Sequence, residues 1–136
     1  MTRREEREAL FALLFEMSFS ELTAAEDVLA IEKEERSYDT EYIVNSYHGI
    51  LSSLTDIDGL IEKSSNGWKL SRLSKVTHAI LRVAVYEMVF NNLPVTIAIN
   101  EAVELAKKYD HEKAPAFVNG ILNRIADEKQ LKDKKK

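Results

Sequence analysis

The sequence predicts an all-α fold, a compact bundle of about six or seven helices, and three observations carry that prediction. The stretch from Ser74 to Asn92, SKVTHAILRVAVYEMVFNN, is apolar nearly all round and far too long for a strand, the pattern of a helix buried on several sides. The segments on either side of it repeat their apolar residues at helical rather than strand spacing. Only 4 Gly and 2 Pro occur in 136 residues, too few for the many turns of an all-β chain.

The first helix opens at Thr2, which with Glu5 forms a capping-box pattern, and runs to about Phe19. Leu10, Leu13, Leu14 and Met17 make its core face, and Phe11, Phe15 and Phe19 an adjacent stripe at i, i+4, i+8. That surface is wider than one contact requires, so the helix either packs on two sides or offers part of the Phe stripe to a partner. A second, acidic helix spans Ala24 to Arg36. Asp39 suits the N-cap of a third, whose core face is Ile43, Tyr47, Ile50, Leu51 and Leu54, with Gly49 marking a close crossing. Asp56 to Lys63 reads as a short continuation or separate turn, Asn66-Gly67 as a turn, and Trp68 as a lid on the core.

The central helix follows. Arg82 and Glu87 interrupt it, so it cannot be a membrane span, and both require structural partners. Pro94 breaks the chain before a helix from Val95 to Tyr109, whose buried face is Val95, Ile99, Ala102, Val103 and Ala106 and whose outer face pairs Glu104 with Lys108. Pro115 suits the first turn of the last helix. Gly120 within it, set opposite Ala98, Ala102 and Ala106, would let two backbones approach. Residues 1–130 therefore read as a single domain, and the Lys-rich residues 131–136 as a disordered tail.

Absence of cysteine excludes disulfides and thiolate metal sites. The three histidines are isolated, with no metal-ligand spacing, and there is no phosphate-binding loop or nucleophile elbow. Neither an enzyme nor a cofactor is expected. Two arginines precede the apolar run Ala9 to Phe15, but Glu5, Glu6 and Glu8 lie where a signal peptide would be basic; the reading is a mature helix in a cytoplasmic protein. With a formal net charge of −4, any nucleic-acid site must be a local patch. Arg3, Arg4 and Arg7 at the first helix N-terminus offer one, since helix ends suit phosphate. The interleaved glutamates allow a plain solvated helix end as well.

Read together, several motifs resemble the NusB family: R-R-x-x-R-E-A-L at Arg3–Leu10, G-W-K-L-x-R-L at Gly67–Leu73, A-I-L-R-V-A-V-Y-E-M at Ala79–Met88, I-N-E-A-V-E-L-A-K-K-Y at Ile99–Tyr109 and F-V-N-G-I-L at Phe117–Leu122. They cover almost the whole chain in order. The resemblance implies two packed helical subdomains and a non-enzymatic antitermination factor. Such a factor binds single-stranded boxA RNA from ribosomal RNA operon leaders, together with the ribosomal small-subunit protein NusE, in the RNA polymerase antitermination complex. It places RNA contacts at Arg3, Arg4, Arg7 and Phe117, and partner contacts at Phe15 and Thr77. Three departures accompany it. Glutamates interrupt the basic N-terminus, Ala114-Pro115-Ala116 replaces the S-x-K common before F-V-N-G, and Thr77 stands where many relatives are acidic. A helical protein–protein adaptor with little RNA affinity of its own is the alternative. The apolar surface of the first helix suits either NusE or a homodimer. A NusB-like domain also precedes some rRNA cytosine methyltransferases, but this chain has no Gly-rich cofactor loop and no cysteine nucleophile.

Overall fold

A computed structural model of the chain describes residues 1–19, 25–67 and 69–131. The expected lid Trp68 and residues 132–136 of the expected tail lie outside the described residues, whereas Leu131 is half-buried against the core. Among the described residues there are seven α-helices and no strand: α1 (Arg3–Met17), α2 (Ala25–Arg36), α3 (Glu41–Ser52), α4 (Leu54–Lys63), α5 (Lys75–Val85), α6 (Val95–Tyr109) and α7 (Ala114–Glu128). Helices α1 to α3 pack together, α5 to α7 form a second group, and α1 and α4 join the two along α5.

Side-chain caps start three of these helices. The Thr2 hydroxyl accepts from the Glu5 N–H at 3.1 Å while the Glu5 carboxylate accepts from the Thr2 N–H at 2.7 Å, completing the capping box of α1. Ser74 caps α5 by accepting from the Thr77 N–H at 3.0 Å. For α3 the cap is Thr40, not Asp39: the Thr40 hydroxyl accepts from Ile43 N–H, and the helix begins one residue later than expected. The segment after α3 is a helix in its own right, and Ser53 serves as the C-cap of one and the N-cap of the next.

Every residue from Ala79 to Val85 is buried, Arg82 included. The helical path changes after Val85, where Tyr86–Phe90 forms a π-turn. Asn91 N–H reaches Tyr86 C=O at 3.0 Å and Leu93 N–H reaches Glu87 C=O at 2.8 Å, with Asn92 in the left-handed conformation at φ 56°. Asparagine tolerates that conformation as a helix stop, and Pro94 then redirects the chain into α6.

The two conspicuous helical glycines differ. A Cβ on Gly49 would lie 2.4 Å from the Tyr86 hydroxyl and 2.7 Å from its ring, so Gly49 does mark a close crossing, with the π-turn as the other party. Gly120 does not face Ala98, Ala102 and Ala106: a Cβ there would meet nothing within 4 Å. Those alanines are buried without its help. Val103, expected in the same buried face, is only partly covered, and Leu105 is buried instead.

Candidate functional site

The three arginines of α1 have different fates. Arg4 is exposed, its side chain 67% accessible, and reaches across to α6, where its Nε and NH2 donate to Glu101 at 3.2 and 2.7 Å. That bond, and then the charge of Arg4, hold the Glu101 carboxyl below its ordinary range. Arg3 is also exposed. It pairs with Glu6 at 3.2 Å and stacks its guanidinium 4.1 Å from the centre of the Tyr42 ring. Arg7 turns inward. It donates from Nε and NH2 to the two oxygens of Glu87 at 2.6 and 3.1 Å, and from NH1 to Glu101 at 3.4 Å. Tyr42 donates to the same Glu87 carboxylate at 2.8 Å. Burial, followed by the Glu87 charge, pushes the Tyr42 phenol above its usual range, so it remains a donor.

A fork of this kind is the geometry of a desolvated ion pair. Arg7 answers the need of Glu87 for a partner, and three of its five N–H donors are engaged by carboxylates. The expectation that all three arginines present charge to phosphate therefore meets two exposed guanidiniums and one buried one.

Between α1 and α6 runs a groove of about 340 Å³, in whose lining the cations Arg4, Arg7, Lys107 and Lys108 face Glu8, Glu101 and Glu104. The sequence reading missed the α6 half of this arrangement. Lys108 does not pair with Glu104; it crosses to Glu8 at 3.0 and 3.1 Å, where the Tyr109 hydroxyl also donates, and Glu104 pairs with Lys107 at 3.3 Å. The K-K-Y run at the end of α6 was the signal available, but its direction depends on how α1 lies against α6.

Phe117 stands elsewhere. It is half-buried on the side of α7 that faces the end of α4, beside Ser65, Asn66 and Arg124, and its groove shares no lining residue with that of Arg4.

Helix α1 ends at Met17, so the Phe stripe runs from it into the following turn, where Phe19 lies, and it is graded in burial. Phe11 is buried, Phe15 half-buried and Phe19 64% exposed. The Phe15 ring lies 6.4 Å from that of Phe11 and 5.0 Å, edge to face, from that of Phe19. Phe11 also stacks on Tyr109 at 5.3 Å. The Lys75 ammonium sits 5.1 Å from the Phe19 ring centre and donates to the Ser18 carbonyl at 3.0 Å. Thr77, by contrast, is buried; its hydroxyl accepts from Ser74 and donates to the buried Asp110 carboxylate, tying the start of α5 to the end of α6.

A second, partly buried cluster satisfies Arg82. It donates to Asp58 through Nε at 2.9 Å and NH2 at 2.7 Å, and His78 Nε2 lies 2.8 Å from the same carboxylate. Burial opposes the Asp58 charge, but the bonds from His78 and Arg82 outweigh it and hold the carboxyl at about 2. His78 and Arg82 at i, i+4 signalled a shared face; Asp58 as the acid between them was not legible. Among the described residues no group of three His, Asp or Glu side chains is placed to hold a metal ion, and no helix is long and apolar enough to cross a membrane.

Comparison with known proteins agrees along nearly the full length. The NusB family model matches residues 4–127. The transcription antitermination protein NusB of Natranaerobius thermophilus is 45% identical over 134 residues, covering 94% of this chain and 96% of that one. That of Acetivibrio thermocellus is 43% identical, covering 96% and 92%. Among solved structures, T. maritima NusB superposes with a TM-score of 0.80 at 38% identity, covering 94% of this chain and 92% of that one. A chain from the crystal structure of antitermination factors NusB and NusE in complex with dsRNA superposes with a TM-score of 0.77 at 27% identity, covering 92% and 97%. Motifs in the same order and a match that spans nearly the whole of fold and sequence lead to one conclusion: this chain belongs to the NusB family.

Proposed function

We propose that this chain is a transcription antitermination factor that binds boxA RNA of ribosomal RNA operon leaders together with NusE. The observation that carries this reading is the likeness, over nearly the whole length, to a chain crystallised in a complex of NusB and NusE with dsRNA. It acts by binding, in the cytoplasm, as part of the RNA polymerase antitermination complex, with no catalytic step of its own. Arg3 and Arg4 supply the first phosphate contacts at the N-terminus of α1, and Lys107 and Lys108 continue the basic track along α6. Their carboxylate partners must be displaced or bridged as RNA arrives, which costs part of the electrostatic gain. Arg7 contributes from beneath, fixing α1 against the π-turn through Glu87. Phe117 adds an aromatic surface for a base.

NusE docks at the C-terminal end of α1 and the turn after it, where the Phe15–Phe19 ring stack becomes exposed. Thr77 acts as a positioning residue there, holding the end of α6 through Asp110.

Fluorescence anisotropy of a labelled boxA RNA, against a scrambled RNA, with and without NusE and across a salt series, tests the reading. Expected is boxA-selective binding, strengthened by NusE, with log K falling by about 0.7 per phosphate contact per decade of salt. No boxA preference even with NusE would leave the protein–protein adaptor as the better account.

A further inference from the structure

Gly120 sits mid-helix in α7, among the least favourable places for a glycine, and no packing neighbour requires it: a Cβ would meet nothing within 4 Å. The missing side chain leaves open a groove of about 220 Å³ between α7 and the end of α4. That is below the roughly 300–1,000 Å³ of a drug-sized site, a size for one planar ring and not for a folded segment.

Its walls have the chemistry of a base site. One helical turn before Gly120 the half-buried Phe117 ring forms one side. One turn after it Arg124, an exposed residue, forms another, oriented by a bond from NH1 to the Ser64 carbonyl at 2.8 Å that leaves further N–H donors for a ligand. At the mouth Asn66 is exposed in the left-handed conformation, φ 54°, and its amide makes no hydrogen bond among the described residues. The charge also distinguishes this groove. Three glutamates line the groove at Arg4 and two line that at Arg3, but here the described lining holds no carboxylate, and Arg124 is its charged group.

We infer that this groove receives one unstacked base of the bound single-stranded RNA. Gly120 provides the space, Phe117 the stacking surface, Asn66 the contact to the base edge, and Arg124 the charge for the adjoining phosphate. This rests on the RNA-binding reading above and adds to it Gly120, Asn66 and Arg124 as the residues that select one position of the strand.

The test measures anisotropy of labelled boxA RNA, with NusE present, on the parent chain, Gly120→Leu and Arg124→Gln, alongside circular-dichroism melting. Gly120→Leu fills the groove from a Cβ that meets nothing within 4 Å and removes a mid-helix glycine, so its melting temperature stays at or above the parent's while RNA affinity falls by about ten-fold or more. Arg124→Gln keeps a donor for Ser64 and lowers the salt slope by about 0.7. In a series of RNAs with single abasic positions, one position weakens the parent and has no further effect on Gly120→Leu. Parent-like affinity and an unchanged abasic profile in Gly120→Leu overturn the inference, as does loss confined to NusE binding. Should Gly120→Leu fail to fold, an unchanged salt slope in Arg124→Gln overturns it. A parent chain that shows no boxA preference refutes the RNA-binding reading itself, before either variant is compared.

Discussion

Replacing Arg7 by alanine separates a structural arginine from a phosphate contact. The Arg7 side chain is 7% accessible and that of Glu87 3%, so the substitution strands a carboxylate inside the protein with the Tyr42 hydroxyl as its remaining close donor. Breaking a buried pair in this way costs about 3–5 kcal/mol, a large share of the roughly 5–15 kcal/mol that holds a domain folded. For a domain of this size the loss corresponds to a fall in melting temperature of about 10–20 °C. Circular-dichroism melting and urea titration measure it. Arg4→Ala is the control: its guanidinium is exposed, so the melting temperature stays within a degree or two while RNA affinity drops. An apolar replacement of both partners, Arg7→Met with Glu87→Leu, recovers most of the stability lost by Arg7→Ala, because no charge is left buried. If Arg7→Ala melts like the parent and loses RNA binding alone, Arg7 is a surface contact in solution and the reasoning fails.

Three further outcomes follow from the same geometry. The Asp58 carboxyl is held at about 2 against an ordinary 3.8, so its contribution to stability is present in full above about pH 4 and is lost as pH falls through about 2. It amounts to about 2 kcal/mol, and urea midpoints at pH 5 and pH 2 will show a loss larger by about that amount in the parent than in Asp58→Asn, the other depressed carboxyls, Glu101 among them, contributing to both. Gly49→Ala forces a methyl into the Tyr86 ring and lowers stability by about 1–3 kcal/mol; a urea midpoint equal to the parent's would contradict the crossing described here. Phe15→Asp interrupts the ring stack leading to Phe19 and weakens NusE binding by ten-fold or more with helicity retained. Unchanged affinity in a titration against NusE would remove Phe15 from the partner face.

Much of the architecture was readable because it is written locally. Thr2 with Glu5, Ser74 before α5 and Pro94 before α6 act within one turn of their own positions. The apolar run Ala79–Val85 announces burial whatever surrounds it. The α3 cap was misplaced by one residue because Asp39 and Thr40 are both good caps and neighbours in sequence; backbone direction chose Thr40.

The helices, their order and the demand that Arg82 and Glu87 find partners are all legible in the amino-acid string. Periodicity, capping and the cost of a bare buried charge are properties of short stretches. Who those partners are follows from packing between helices distant in the chain: Arg7 lies 80 residues from Glu87, and Asp58 lies 24 from Arg82. In the string, Arg3, Arg4 and Arg7 look alike, as do Gly49 and Gly120. What separates them is which way each Cα–Cβ vector points once α1 rests on α5 and α6, and whether another element occupies the space there. One arginine becomes a buried brace and two remain exposed; one glycine admits a tyrosine and the other opens a groove.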